Sequence, residues 1–423
     1  MRENAPMSEL SITGSGAEII SLYDLPWSKH LEDWPEDPGL TSMRGISRHV
    51  VRLVRTGDRD EDVYAVKETV EEFSTREYAG LRELNSRGAP CVEPLAVVTG
   101  RLDPRGNELP TALVTRYLPF SLPYRVILSG NVTPHEITTM ANALALLLVK
   151  LHLIGFWWGD CSLSNALFRR DASEYSAYLV DAETGEFHPS LTDGQREHDL
   201  EIVLFNVAAE LEDLAVAGVL HPGMDPIRAS QGVIARYRRL WKALKEPQIL
   251  DPKDRHAVER AMRSLQDLGF AVEEVEVTMD GDKGVLKFSP RLVAAGYHQQ
   301  RLKEILGLDA EELQAKRLLA SFDRYRGREA KSGLSTEVLA RRWLTTVFDH
   351  VIEQVPLELR GRVEPAQMFH EILEHRWYLG EQAGKDLGLD FATSDYISTI
   401  LPYRADSGTI NRDEPVAVSD IDV

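Results

Sequence analysis

Apolar and polar positions along the chain alternate first with a period of two and later with a helical period. From His49 the order His-Val-Val-Arg-Leu-Val, a polar turn over 57–62 and Val63-Tyr64-Ala65-Val66-Lys67-Glu68 predict two strands. In the second strand Val63, Ala65 and Lys67 share one face. Ser74-Thr75-Arg76-Glu77 has the form of a capping box and predicts a helix to about Arg87, closed by Gly88. Residues 89–98 and 111–118 predict two further strands. Thr133-Pro134-His135-Glu136 then opens a helix with an N-cap, an N1 proline and a capping glutamate. Its stripe is Ile137, Met140, Ala141, Leu144, Leu148 and Leu151, and Gly155 closes it. Two short apolar runs, 166–168 and 177–180, predict an antiparallel hairpin across the polar residues 169–176. Further on come an amphipathic helix over 231–245, a helix over 254–268 and a second hairpin, Val272–Val277 with Val285–Phe288. Helices follow to about residue 386.

Composition narrows the class. A chain of 423 residues exceeds one ordinary core, so two or more domains are expected. Apolar content of 43% and charged content of 27% fit a soluble globular protein. The formal net charge of −19 argues against a general nucleic-acid binder. Cys91 and Cys161 make no disulfide framework, and MRENAPMSEL lacks the features of a signal peptide, so a cytoplasmic location is expected. The most apolar segment, 141–158, contains Lys150 and His152 and reads as a buried helix rather than a membrane span.

Chemistry concentrates between Trp157 and Glu186. An antiparallel hairpin brings the start of its first strand beside the end of its second. Asn165 and Asp181 are therefore expected at one edge, with Asp160 in the loop before it. Two oxygen ligands and a separate carboxylate suit metal-assisted phosphoryl transfer: Mg²⁺ takes hard oxygen donors, and a free Asp accepts a hydroxyl proton. Asn and Asp are also common turn formers. Lys67, on a face with the small Ala65, suits a cleft holding a flat base and phosphates; it also fits a snorkelling surface lysine. Glu77 lies on the stripe of Leu81 and Leu84 and so points toward Lys67, whereas Glu83 lies off it. Glu77 is equally placed to cap its own helix.

Taken in order, these parts resemble the protein-kinase-like fold: Ala65-x-Lys67, Glu77, Gly159-Asp160 through Asn165, and Asp181. The segments GISRHVVRLV, YAVKE, REYAGLREL, FSLPYR, WWGDCSLSNALFRRD, YLVDAETGE and DGQREHDLEI further resemble an uncharacterised bacterial family. That family is grouped with the Kdo/WaaP-type lipopolysaccharide kinases and carries a C-terminal domain of unknown function. The resemblance implies an α+β architecture: a two-lobed kinase-like domain with a small β-rich N-lobe (41–120) and a helical C-lobe (121–225). An accessory α+β and helical domain (226–400) would follow, between a leader and strap (1–40) and a flexible acidic tail (401–423). It implies an ATP- and Mg²⁺-dependent phosphotransferase acting on an unidentified hydroxyl of a sugar, metabolite or protein.

In that reading Asp160 orients or deprotonates the acceptor, and Lys67, positioned by Glu77, holds the α/β phosphates. Ala65, Thr115, Tyr117 and Ser47 complete the nucleotide site. Asn165 and Asp181 hold the metal, with Glu183 as a further candidate. Asp199, in Arg196-Glu197-His198-Asp199, would brace the catalytic loop through its backbone amides. The chain departs from the pattern in three places: only Gly45 stands where a glycine-rich loop is expected, Trp158 precedes Gly-Asp, and Asp-Ala-Glu replaces Asp-Phe-Gly. The alternative is a nucleotide-sensing pseudokinase whose C-terminal domain engages a protein partner. A metallohydrolase would leave Lys67 and Glu77 idle.

Outside these motifs, Trp27 and Trp34 among prolines and acids read as a strap across a domain surface or as part of a core. Arg236, Arg238, Arg239, Lys242 and Lys245 give the 231–245 helix a basic face, read as solvated, with an anionic ligand or membrane surface as the other reading. His370, Glu371, Glu374 and His375 lack the H-E-x-x-H spacing and read as a polar helix face rather than a metal site.

Overall fold

The computed structural model describes residues 10–404, except 17, 36–49, 58–61, 129–132, 221–222, 252, 255 and 281–284. Ser47, Gly45 and the tail beyond Arg404 lie outside the described residues. The fold is a mixed α+β one, as expected, and the chain forms two compact units. The first comprises the chain up to Phe120 together with Val180–Gly185; the second comprises Ser121–Leu179 and Glu186–Ala405.

The first unit is built on an antiparallel sheet of β1 (Ser11–Gly14), β2 (Val51–Arg55), β3 (Val63–Thr69), β4 (Pro94–Thr99) and β5 (Thr111–Arg116), in the order β1-β4-β5-β3-β2. A short helix, α1 (Ile19–Leu22), follows β1, and α2 (Glu71–Ser86) follows β3. β1 falls where the sequence suggests a loose leader. Its backbone pairs with β4, and Leu10 and Ile12 pack against the core. Tyr64 and Val66 meet Trp27, Trp34, Leu95 and Val114 in that core. The tryptophan segment is therefore integral to it. Its loop backbone is held by Arg101, a 1%-exposed cation that the sequence does not flag. Arg101 donates to Glu68 Oε1 (2.8 Å) and to the carbonyls of Trp27 (3.2 Å) and Lys29 (2.6 Å). A buried charge needs such a full set of acceptors.

Helix α2 begins at Glu71, three residues before the expected start. Ser74 lies within the helix and donates its hydroxyl to the Glu71 carbonyl, so the Ser74–Glu77 capping box is not formed. The S-x-x-E pattern falls inside a turn whose N-cap is Val70.

The second unit opens with β6 (Ser121–Pro123), α3 (Tyr124–Leu128) and α4 (Pro134–Leu153). The capping box at Thr133 and Glu136 forms as expected. α4 is long and apolar enough to cross a membrane, and 61% of its apolar window is buried inside the protein. Strand β7 (Phe156–Trp157), the hairpin of β8 (Ala166–Asp171) and β9 (Glu174–Leu179), β10 (Glu186–Phe187) and α5 (Asp193–Val216) follow. The hairpin is longer than its apolar runs suggest, with Ala166 paired to Leu179 and Asp171 to Glu174. The helix expected from 231 starts earlier, as α6 (Pro226–Lys245), capped by Asp225. It buries Tyr237, Leu240 and Leu244 and packs on α4 and α5. Part of its basic face is occupied: Arg238 pairs with Glu197 at 2.7 Å.

Next come β11 (Gln248–Leu250), α7 (Ala257–Asp267), β12 (Phe270–Asp280) and β13 (Val285–Ala295), the strands forming a further antiparallel sheet in the order β11-β13-β12. Helices α8 (Tyr297–Leu306), α9 (Glu312–Arg328), α10 (Thr336–Trp343), α11 (Asp349–Glu353), α12 (Pro365–Ala383) and α13 (Leu389–Thr399) surround a core of Phe322, Trp343, Phe348 and Phe369.

Candidate functional site

In the first unit, strand β3 sorts its side chains by alternation. Tyr64 and Val66 enter the core, while Ala65 and Lys67 face the other way. Ala65 is flanked by Leu53 on β2 and Thr115 on β5, and Lys67 by Val51 and Leu113. Thr115 therefore shares a face with Ala65 and Lys67. Tyr117 lies just past β5, its amide donating to Val63 O at 3.0 Å.

The Lys67 ammonium donates to Glu77 Oε2 at 3.0 Å and to Asp181 Oδ2 at 2.8 Å, with Glu183 Oε2 3.8 Å away. Glu83 lies elsewhere, paired with Arg87. Glu77 is fully buried. Burial, and then the Asp181 charge, push its pKa up to about 7, against the pull of Lys67. For Lys67, burial works against the charged form, but Glu77 and Asp181 outweigh it and hold the ammonium above its ordinary pKa. Glu77 is thus an acid weakened by its burial, beside a lysine that stays charged.

The loop that carries Asp181 docks on α2. Ala182 is buried, and Gly80 of α2 stands so near that a Cβ there would lie 3.8 Å from Ala182 Cβ. Arg76 donates to the Thr184 and Gly185 carbonyls. Asp181 Oδ1 accepts the Glu183 amide at 3.0 Å, so both its oxygens are engaged. Glu77, Asp181 and Glu183 bring carboxylate oxygens within 4.8 Å of one another. The three carboxylates gather round the Lys67 ammonium, and buried Glu77 Oε1 has no hydrogen-bond partner among the described residues. An all-oxygen set of carboxylates fits a hard cation such as Mg²⁺.

In the second unit, Asp160 sits in the loop between β7 and β8. Asn165 Nδ2 donates to Asp160 O (3.0 Å) and Oδ2 (3.1 Å), and Asn206 Nδ2 donates to Asp160 Oδ1 (3.2 Å). Asn165 uses its amide nitrogen inside the loop, and its side-chain oxygen accepts no hydrogen bond among the described residues. Asp199 accepts the amides of Trp158 (2.9 Å) and Gly159 (2.8 Å). His152 lies between Asp199 Oδ2 (3.0 Å) and the Tyr237 hydroxyl (2.7 Å). Burial holds the His152 pKa below its ordinary value, although Asp199 pulls the other way. The neutral ring therefore donates from Nε2 to Asp199 and accepts from Tyr237 at Nδ1. Glu210 closes the loop, accepting the amides of Leu163 (2.8 Å) and Ser164 (2.9 Å).

Asn206 and Glu210 escape the sequence reading. With Asp199 they form a stripe at i, i+7 and i+11 on α5 among buried Val203 and Val207. That periodicity was a usable signal, but polar residues on a helix look like a solvated face. The cluster at 370–375 does not converge either. Glu371 is buried and accepts from Tyr396 and Arg404, and His375 contacts Asp395 at 2.7 Å. The polar-face reading is corrected for His370 and Glu371, which are 3% and 8% exposed.

Residues 239–401 match the family described as a domain of unknown function, DUF4032. No curated protein matches the chain. Among solved structures, one described as "WaaP in complex with acyl carrier protein" is similar at 17% identity and a TM-score of 0.29, over 46% of this chain and 85% of that one.

Proposed function

We propose that the protein is an ATP- and Mg²⁺-dependent phosphotransferase acting on a hydroxyl acceptor. The observation that carries this reading is Lys67, joined at once to Glu77 from α2 and Asp181 from a segment 114 residues away. A charged lysine fixed by two carboxylates suits the binding of nucleotide phosphates, for which the face of Ala65, Thr115 and Lys67 leaves room beside a small side chain. Asp181, with Glu183 as a further candidate, is proposed as an oxygen donor to Mg²⁺, which when bound neutralises charge on the transferred phosphoryl group. Asp160 is assigned to orient the acceptor hydroxyl and take its proton. Asn165 and Asn206 hold its carboxylate, and Asp199 and Glu210 hold the loop that carries it.

ATP with Mg²⁺ is expected to raise the melting temperature, by the equivalent of about 2.7 kcal/mol at a hundredfold excess over Kd. Asp181→Asn should remove the magnesium-dependent part. Asp160→Asn should keep the nucleotide shift and lose ~10²–10⁴-fold in phosphoryl transfer. The sensing alternative draws on Asp181, whose two oxygens are already held within the chain. Wild-type protein that shifts with ATP, yet shows no turnover above Asp160→Asn across sugar, metabolite and protein acceptors, would decide for it. The absence of any nucleotide shift would remove both readings.

A further inference from the structure

Helices α9 and α12 pack together in the second unit and leave a groove of about 860 Å³ along their shared flank. Arg317 and Arg324, seven residues apart on one face of α9, line it, and Lys385 lies at its end beyond α12. None of the three side chains forms an ion pair or hydrogen bond among the described residues. On other faces of α9 the cations are matched: Lys316 pairs with Asp267 at 2.9 Å and Arg326 with Asp323 at 2.8 Å. Arg376, also in the groove wall, is taken by Asp386.

Unpaired surface cations are common, and His370 is what sets this place apart. It is 3% exposed, lines the groove from α12, and its Nε2 makes no hydrogen bond among the described residues. The nearest carboxylate oxygen, on Glu374, lies 3.3 Å away without hydrogen-bond geometry. Burial, with Arg317 adding to it and Glu374 opposing, holds the ring neutral. A buried polar atom without a partner is costly and calls for one. Two turns beyond His370 along α12, Trp377 lines the same groove and is 64% exposed. The side chains thus offer two guanidinium groups, an ammonium, a buried imidazole nitrogen and a flat apolar ring.

We propose that this groove binds a small organic phosphate, its head group held by Arg317, Arg324, Lys385 and His370 and its planar or apolar part resting on Trp377. Guanidinium forks match the oxygens of a phosphate. The volume falls in the range of small-molecule sites, ~300–1,000 Å³. Glu374 and Glu381, which also line the groove, disfavour a long polyanion. This site is independent of the lysine–carboxylate cluster.

The test is calorimetric titration of the full-length protein with phenyl phosphate and with inorganic phosphate, at an ionic strength fixed by chloride. Saturable binding is expected, tighter for phenyl phosphate. Arg317→Gln with Arg324→Gln should weaken both at least tenfold, and Trp377→Ala should erase the advantage of the ring while inorganic phosphate still binds. The component of binding that the arginine variants remove should persist in Lys67→Ala, which separates the groove from any phosphate held at the lysine cluster. The glutamines replace exposed side chains. Should the double variant fail to melt cooperatively, each single variant is expected to weaken binding by itself. No saturable binding by wild type, equal affinities in the arginine variants, or loss of binding in Lys67→Ala would overturn the proposal.

Discussion

Two side chains, Glu77 and His152, show how burial decides which charges the protein keeps. Glu77→Gln preserves shape and a hydrogen-bond acceptor for Lys67 while removing a buried charge that is costly to maintain. Its stability should stay within about 1 kcal/mol of wild type. If the protein is the phosphotransferase proposed above, its turnover should fall at least tenfold, since the ammonium loses the partner that positions it; equal turnover in the two proteins would show that Glu77 only fills space. His152 makes a different prediction. Its folded-state pKa lies below the unfolded one, so its contribution is present above pH 6.5 and is lost as the pH falls through the folded pKa. Chemical denaturation between pH 7.5 and 5.5 should show stability falling by up to ~1.4 kcal/mol per pH unit at the acid end. A His152→Gln variant should lack that slope, and an identical slope would place the sensitivity in another group. Lys67, Asp160, Asn165 and Asp181 could be singled out as candidates in the sequence because their types and order match a known pattern. Arg101 could not, and Asn206 and Glu210 left only the stripe on α5, which a solvated helix face would also give. Each works by reaching backbone from a distant segment, so its partner is not written beside it.

At the scale of elements, the most local signals were the most legible. The Thr133–Glu136 cap and the alternation of β3 depend on neighbours only, and both appear as read. Where burial comes from elsewhere, boundaries moved. The ends of β8 and β9 carry Arg169, Asp171 and Glu174, which look like a turn in the sequence. In the fold Asp171 accepts the amides of Leu313 and Gln314 at the start of α9, and Arg169 meets Glu311 at 3.2 Å and Glu364 at 2.6 Å. Two substitutions probe how closely elements approach. Placing an aromatic after Asp181 with Ala182→Phe should destabilise by ~1–3 kcal/mol, because the Ala182 side chain is already buried against α2. Gly155 has φ 81°, and a Cβ there would lie 2.1 Å from the His188 carbonyl. Gly155→Ala should therefore cost more than the ~1 kcal/mol of an ordinary left-handed glycine and disrupt the pairing of β7 with β10. Melting temperatures equal to wild type would contradict either account.

Across the second unit, the segment matching DUF4032 is not a separable appendage. α6 supplies Tyr237 to His152 and packs on α4 and α5, and the hairpin is gripped by α9 and α12. Chains ending at residue 225 or 250 are expected to give no cooperative melting transition for the remaining part of this unit. A sharp transition at the wild-type temperature would show that the first half stands without the second. Gln367 has the widest consequence. From α12 it accepts the Ala172 amide and donates to the Ala172 carbonyl, both at 2.9 Å, and it also receives Gln314. This side chain imitates a strand partner for the tip of the hairpin, and Asp171 and Arg169 beside it are matched to α9 and α12 as a key is to its lock. Genetic exchange that brought in a foreign C-terminal half would strand a buried carboxylate and a guanidinium without mates. The two halves are bound to descend together, as one heritable cassette rather than two interchangeable modules.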